Sequence, residues 1–491
     1  MITIFTSVDL LDQIQRLIET EDRLNELVNF SDKISDQTAI KVNTTTIEIF
    51  PDWDNTQPPL LFPTLQFDNK ILLGVIYTKL NNFEKAYSLL KDNPEILNII
   101  DLLNRLQNGV LIDFSLLSGD DNITLHNRAV AMQYGTSESQ FAIEDIIDTY
   151  YKATKNIDNL NHSLYTNYLL SQLYIDILDM KKAQELINSI LSKNITKKIE
   201  FSCKDLLSKI WIGQISIPYD QIFLEKIKNI LWECLEYFES ENKEVESAMI
   251  LLDAGYVATI SNSFSEALGY INRAILIFTN EKLDALIAQA NLIKGNLLQT
   301  WGQNGNPQFY RSAVKAYQDA LRVFTKENTP NIFAEIQHQL GKVYAEIPDE
   351  VKKKGVWAAV SVSSFNEALN YYNKVDFPYE FAMICQSFGN AYTKYPASLH
   401  TDNYDKALAW YREALDIRTV QNYPIERVLS LSNYLEASWF VGNKDDFDQE
   451  RFEDMMNIAN EILTISNDPD IVENTKADIE KLLTVKANLS K

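Results

Sequence analysis

Gly389-Asn-Ala-Tyr392 closes one apolar-periodic run, and eighteen residues after its glycine a second run opens as Ala407-Leu-Ala-Trp410-Tyr411-Arg-Glu-Ala414-Leu415. The arrangement recurs at Gly295-Asn-Leu, with Ala313-Val-Lys-Ala-Tyr317-Gln-Asp-Ala320-Leu321 again eighteen residues on. A shorter form has a gap of twelve, at Gly74 to Ala86, Ser171 to Ala183 and Gly255 to Ala267. Gly341-Lys-Val-Tyr344 leads to Ala368-Leu-Asn-Tyr371-Tyr372 with a gap of 27, and Asn127-Arg-Ala129-Val130 leads to Phe141-Ala142 with one residue beyond twelve. Helix-on-helix packing accounts for the pattern. A small residue where two antiparallel helices approach lets their backbones come near, and an alanine on the facing helix fills the matching position. One such hairpin cannot bury its own apolar face, so neighbours must stack.

Composition agrees with a helical chain. Only 14 of the 491 residues are glycine and 13 are proline. Tight turns, hairpins and phosphate-cradling loops draw on glycine, because glycine alone accepts positive φ freely. Apolar residues make up 46 %, ordinary for a folded protein. At this length a single globular core is excluded, which leaves several domains or one array with a continuous core. The net charge is −23, from 68 acidic and 45 basic residues. That balance argues against nucleic acid, whose backbone needs clustered Lys and Arg, and against an anionic membrane surface. A basic peptide or protein would be attracted, though acidity also serves solubility alone. Cys203, Cys234 and Cys385 are odd in number and lie far apart in apolar helical runs, which points to a reducing compartment. Met1 to Leu11 lacks a basic stretch, and no run approaches 18 apolar residues, so a cytoplasmic protein without membrane insertion is expected.

Small residues at these spacings resemble the tetratricopeptide repeat, a 34-residue helix–turn–helix. Gly255, Ala267 and Ala274 match its three small positions, and the pairs Ala313/Ala320 and Ala407/Ala414 repeat the second spacing. Pro330, Pro378 and Pro424 stand four residues before Ala334, Ala382 and Val428, where a proline suits a helix entry. With the lengthened turns, the C-terminal half is similar to the extended repeats of bacterial regulatory proteins. The resemblance implies an all-α fold, a right-handed superhelical solenoid of antiparallel helix pairs. About four copies lie between 245 and 445, and some four degenerate ones between 67 and 240.

Two regions depart from the pattern. Thr38 to Phe67 alternates through Ile40, Val42, Ile47 and Ile49, then carries Pro51, Pro58, Pro59 and Pro63. It reads as one or two short strands and an irregular passage. Val8 to Phe30 reads as one amphipathic helix. The expected organisation is therefore an N-terminal cap over 1–66, degenerate repeats over 67–240, extended repeats over 241–446, and capping helices over 447–491. A separate docking module is the other reading of 1–66. The second departure is the insert from Glu346 to Val362, with Lys352, Lys353, Lys354 and Trp357. It is either an interaction loop or a helix extension whose tryptophan packs back on the next repeat.

The sequence carries no familiar catalytic motif. His126, His162, His338 and His400 form no metal-ligand spacing, and there is no C-x-x-C, no phosphate-loop motif and no G-x-G-x-x-G. Gly302-Gln-Asn-Gly305 is a turn between the halves of a repeat, and Ser118-Gly-Asp-Asp121 lacks the alternating ligands of a calcium loop. No cofactor, no metal and no enzymatic activity are expected.

In the family, the first helices of successive repeats line a concave groove. Carried over residue by residue, its positions here are Gln289, Leu292, Asn296, Gln299 and Thr300 around Gly295. Around Gly341 they are Glu335, His338, Lys342 and Glu346, and around Gly389 they are Met383, Gln386, Asn390, Thr393 and Lys394. Amides offer both donor and acceptor to an extended backbone. They are equally at home simply facing water. Lys342 and Lys394, with Glu335 and Glu346 beside them, do not make a carboxylate clamp. The expectation is a non-catalytic scaffold or adaptor binding a protein or peptide. A regulatory sensor of a peptide or small ligand and a structural subunit of a larger complex are the alternatives.

Overall fold

A computed structural model describes residues 1–35, 38–54, 56–138, 140–155, 159–397, 402–442 and 448–489. His400 and Phe447 lie outside the described residues. The chain divides into two compact units, Met1–Tyr237 and Phe238–Lys491.

The first unit opens with a small sheet. Its strands are β1 (Ile2–Thr6), β2 (Val28–Ser31), β3 (Thr38–Val42), β4 (Thr46–Ile49) and β5 (Leu65–Gln66), ordered β2-β1-β3-β4-β5. β1 runs parallel to both β2 and β3, while β3–β4 and β4–β5 are antiparallel. Helix α1 (Val8–Glu19) is the crossover from β1 to β2, and buries Leu10, Ile14 and Ile18. This corrects the expectation of one helix from Val8 to Phe30. The chain turns at Arg23, which takes a left-handed φ of 56°, and Val28 to Ser31 pairs with β1 instead. Leu24, Leu27 and Val28 kept the helical spacing, but nonlocal pairing decides their conformation.

Helices follow: α2 (Asn69–Lys79), α3 (Phe83–Leu90), α4 (Pro94–Asn108), α5 (Asn122–Tyr134), α6 (Ile143–Ala153), α7 (Leu160–Asp176), α8 (Met180–Leu191), α9 (Lys197–Gly213) and α10 (Gln221–Ser240). The pairs α2–α3, α5–α6 and α7–α8 pack as hairpins, and Phe201 of α9 stacks on Tyr237 of α10 at 4.1 Å. Asp68, Asp121 and Asp179 cap α2, α5 and α8 by accepting backbone N–H groups. Ala142 is the N-cap of α6, so it is not the facing small residue that spacing had made it. The proline-rich passage is tied down by polar pairing. Buried Asn127 accepts from Leu61 N at 2.8 Å and donates to Leu61 O at 2.9 Å, and Tyr165 donates to Asp52 O at 2.8 Å.

The second unit continues with α11 (Glu244–Ile260), α12 (Phe264–Asn280), α13 (Asp284–Gln303), α14 (Tyr310–Ala320), α15 (Pro330–Glu346) and α16 (Val351–Tyr371). It ends with α17 (Pro378–Tyr392), α18 (Asn403–Ile417), α19 (Pro424–Ser438), α20 (Gln449–Ile465) and α21 (Pro469–Leu489). Each unit is thus built mainly of stacked helix pairs, the first with a small sheet at its start. Pro330, Pro378 and Pro424 each occupy the first turn of a first helix. The glycines stand where the spacing placed them: a Cβ on Gly295 would lie 2.5 Å from the ring of Tyr317, and one on Gly341 2.9 Å from that of Phe365.

That last contact changes one register. Tyr317 and Tyr411 follow Ala313 and Ala407 by four residues, and Phe365 likewise follows Ser361. Ser361 is fully buried and its Oγ donates to Gly341 O at 2.5 Å. The small residue facing Gly341 is therefore Ser361, at a gap of twenty, and not Ala368 at 27. Ala368 takes the next small position, seven further on, like Ala274, Ala320 and Ala414.

Candidate functional site

The three cysteines, His126 and His338 are withdrawn from solvent. Burial pushes the Cys203 and Cys385 thiols up to about 12, and the Cys234 thiol higher still. His126 is buried between Thr166 Oγ1 and Pro59 O, both at 2.8 Å, and burial pushes it down to about 4. No group of three His, Cys, Asp or Glu among the described residues could hold a metal ion. No helix among them is long and apolar enough to cross a membrane.

The second unit offers a surface instead. Its first helices α11, α13, α15 and α17 touch in succession, whereas α12, α14, α16 and α18 make no comparable contact among themselves in the described residues. These first helices thus pack on one another as well as on their own hairpin partners. Gln289 and Asn296 on α13, Glu335 on α15, and Met383 and Lys394 at α17 are exposed, while Lys342, Glu346, Gln386 and Asn390 are half-buried. Second-helix tyrosines fix two amides of this row. Tyr317 donates to Asn296 Oδ1 at 2.7 Å, and Tyr411 donates to Asn390 Oδ1 at 2.7 Å. In both cases the acceptor oxygen is taken and the NH2 group points its donors outward from the pair.

Charges on the row are mixed. Lys394 pairs with Glu346, linking α17 to the end of α15. Lys342 donates to Gln339 Oε1 at 3.0 Å, and burial, then the Lys394 charge, lowers its pKa. Glu335 reaches solvent, yet desolvation by its surroundings holds its carboxyl above the usual carboxylate range.

Two of the fourteen groove positions are not at a surface. His338 is 3 % exposed, its ring centroid 6.0 Å from that of Phe365, and burial then Lys342 push it down to about 3. Gln299 is 5 % exposed and accepts the Tyr317 hydroxyl at 2.8 Å. Each sits three or four residues from its glycine and faces the second helix across the hairpin. Of the two readings of the insert, the helix extension holds: from Val351 on it is the first half of α16, not a loop. Trp357 stacks on Tyr344 at 5.8 Å and donates to Asp349 Oδ2 at 3.1 Å, so it packs back on α15 of its own hairpin and not on the next repeat. Lys352, Lys353 and Lys354 are exposed on that helix.

Sequence reasoning missed the continuation of the row onto α19. Asn433 donates to Asn390 Oδ1 at 3.1 Å, and Ser430 donates to Gln386 Oε1 at 3.0 Å. Buried Arg418 donates to the same Gln386 oxygen and to Ser430 Oγ. The signal was the third proline entry: Asn433 lies nine residues after Pro424 and Asn390 twelve after Pro378, about one helical turn apart.

Neither a family model nor a curated protein matches this sequence. Solved structures do. A signal transduction ATPase with numerous domains carrying a tetratricopeptide repeat sensor, PH0952 from Pyrococcus horikoshii, aligns over 81 % of this chain with a TM-score of 0.53 and 13 % identity. This chain spans 56 % of that protein's length. Yeast Tom70 aligns over 86 % of this chain and 84 % of its own, at 16 % identity and a TM-score of only 0.31. The first likeness is one of fold: the helix pairs are stacked as in a tetratricopeptide-repeat solenoid.

Proposed function

We propose that this tetratricopeptide-type solenoid is a non-catalytic scaffold or adaptor that recognises a protein or peptide along the first-helix face of its second unit. The observation that carries the reading is the row on α13, α17 and α19, where tyrosine hydroxyls hold Asn296 and Asn390 by their oxygens and leave their NH2 donors for a ligand, and Asn433 is tied to Asn390. Holding polar groups in place before binding lowers the entropy lost when a partner is ordered against them. An extended segment supplies carbonyls at the spacing a backbone repeats, and its side chains would meet the mixed charges of Glu335, Lys342 and Lys394. The net charge of −23 favours a basic partner. The same balance disfavours nucleic acid. On this reading residues 1–66 cap the array, and a cytoplasmic location fits the buried, unpaired cysteines.

The test uses the full chain as bait in extracts of its source. A stoichiometric partner is expected with the native protein. It is lost from the variant carrying Gln289→Ala, Asn296→Ala, Glu335→Ala and Lys394→Ala, with helical content unchanged. Replacing Lys352, Lys353 and Lys354 by Ala leaves capture intact. Loss on the lysine variant and retention on the groove variant would transfer the binding surface to α16.

A further inference from the structure

The first unit contains a cleft of about 440 Å³ that the groove reading does not use. A volume of this order suits a small molecule. Its apolar wall includes Phe50, Trp53 and Ile199. Trp53 is 9 % exposed and braced edge-on by Tyr165 at 5.0 Å, so that wall is rigid. Two lysines line it from separate helices, Lys79 in the last turn of α2 and Lys198 in the first turn of α9.

The two amines are partnered differently. Lys198 forms an ion pair with Asp54 at 2.5 Å. Lys79 has no ion pair or hydrogen bond through its ammonium among the described residues, and its one ring contact is with Phe62 at 5.9 Å. Asp52 is the opposing charge it feels. That carboxylate is committed to its own turn, accepting from Asp54 N at 3.1 Å, Thr56 N and Thr56 Oγ1 at 2.7 Å, and Gln57 N at 2.9 Å. Gln57 is committed too, donating to Lys79 O and to Asn81 Oδ1. Burial lowers the Lys79 pKa, with Asp52 only partly opposing. A half-buried cation that no protein carboxylate pairs with is costly, and an anion from outside relieves that cost.

We propose that this cleft binds a small organic acid, its anionic head against the Lys79 ammonium and its apolar body against Phe50, Trp53 and Ile199. Carboxylate and phosphate heads share this chemistry. The site stands in a different unit from the groove, so either reading can fail without the other.

The experiment titrates the full chain with indole-3-acetate and with phenyl phosphate, using indole-3-acetamide as the uncharged comparison, by calorimetry and ligand-observed NMR. Binding of at least one acid with a Kd below ~1 mM is expected, and none of the amide. Lys79→Met weakens that acid about tenfold or more, while Lys353→Met, on α16, leaves it unchanged. Which acid binds tells carboxylate from phosphate. In the native chain the bound acid also protects Lys79 from acetylation, read by mass spectrometry, and does not protect Lys353. This second readout stands if Lys79→Met fails to fold. The proposal is overturned if neither acid binds up to ~10 mM, if the amide binds as well as the acid, or if Lys79 stays as reactive with acid as without.

Discussion

Gly295 and Gly269 both lie inside helices, and alanine at the two positions has opposite effects. At Gly295 the new Cβ would meet the Tyr317 ring at 2.5 Å, and the hairpin would have to spread. Gly295→Ala is expected to destabilise by about 1–3 kcal/mol. At Gly269, exposed on α12, a Cβ meets nothing within 4 Å. Gly269→Ala removes backbone freedom from the unfolded chain and stabilises by roughly 0.5–1 kcal/mol. Urea unfolding of the two variants checks the sign of each. His338 gives a second prediction at this scale. Its pKa is pushed down to about 3 in the fold, against about 6.5 when unfolded. Below the unfolded value the unfolded chain takes up a proton that the native one refuses, so stability falls with pH across that window. Between about pH 6.5 and about pH 5 this one residue removes ~2 kcal/mol. His338→Leu should flatten the urea midpoint over the same range; an unchanged slope would mean that the ring is hydrated.

At the scale of elements, α16 decides what the insert is. Its N-terminal half is held by Trp357, which stacks on Tyr344 and donates to Asp349, while Asp349 also accepts from Arg311 at 2.7 Å. Trp357→Ala is expected to cost about 2 kcal/mol and to fray α16 from its start, seen as faster amide exchange over Val351–Val360. Sequence legibility also differs by element. The hairpins were readable because close approach demands a small residue, and Gly, Ala and Ser are visible as letters. The register of α16 was misread because Ala368 is as small as Ser361; the aromatic four residues on, Phe365 beside Tyr317 and Tyr411, was the discriminating sign. β1 and β2 were missed for another reason. Ile2–Thr6 and Val28–Ser31 are short, and their parallel pairing is set by contacts some twenty-six residues apart that no local pattern records.

For the whole molecule, the solenoid was legible and the sites were legible only in part. Positions counted from a glycine fell mostly at exposed or half-buried places on α13, α15 and α17, because helical periodicity carries across repeats. The count failed at His338 and Gln299, where the side chain turns toward the second helix, and no spacing rule tells those rotations apart. The cleft of the first unit was invisible, since Trp53, Lys79 and Lys198 come from distant segments joined only by folding. The central claim, that the first-helix face of the second unit receives a polypeptide, is tested most directly by site-specific photocrosslinking to the captured partner. A photoreactive phenylalanine is placed in turn at Gln289, Glu335 and Lys394 on that face, and at Lys315 and Ser363, exposed on the second helices α14 and α16. Adducts from the first three positions and none from the last two are predicted. Adducts from Lys315 or Ser363, with none from Gln289, Glu335 and Lys394, would contradict it.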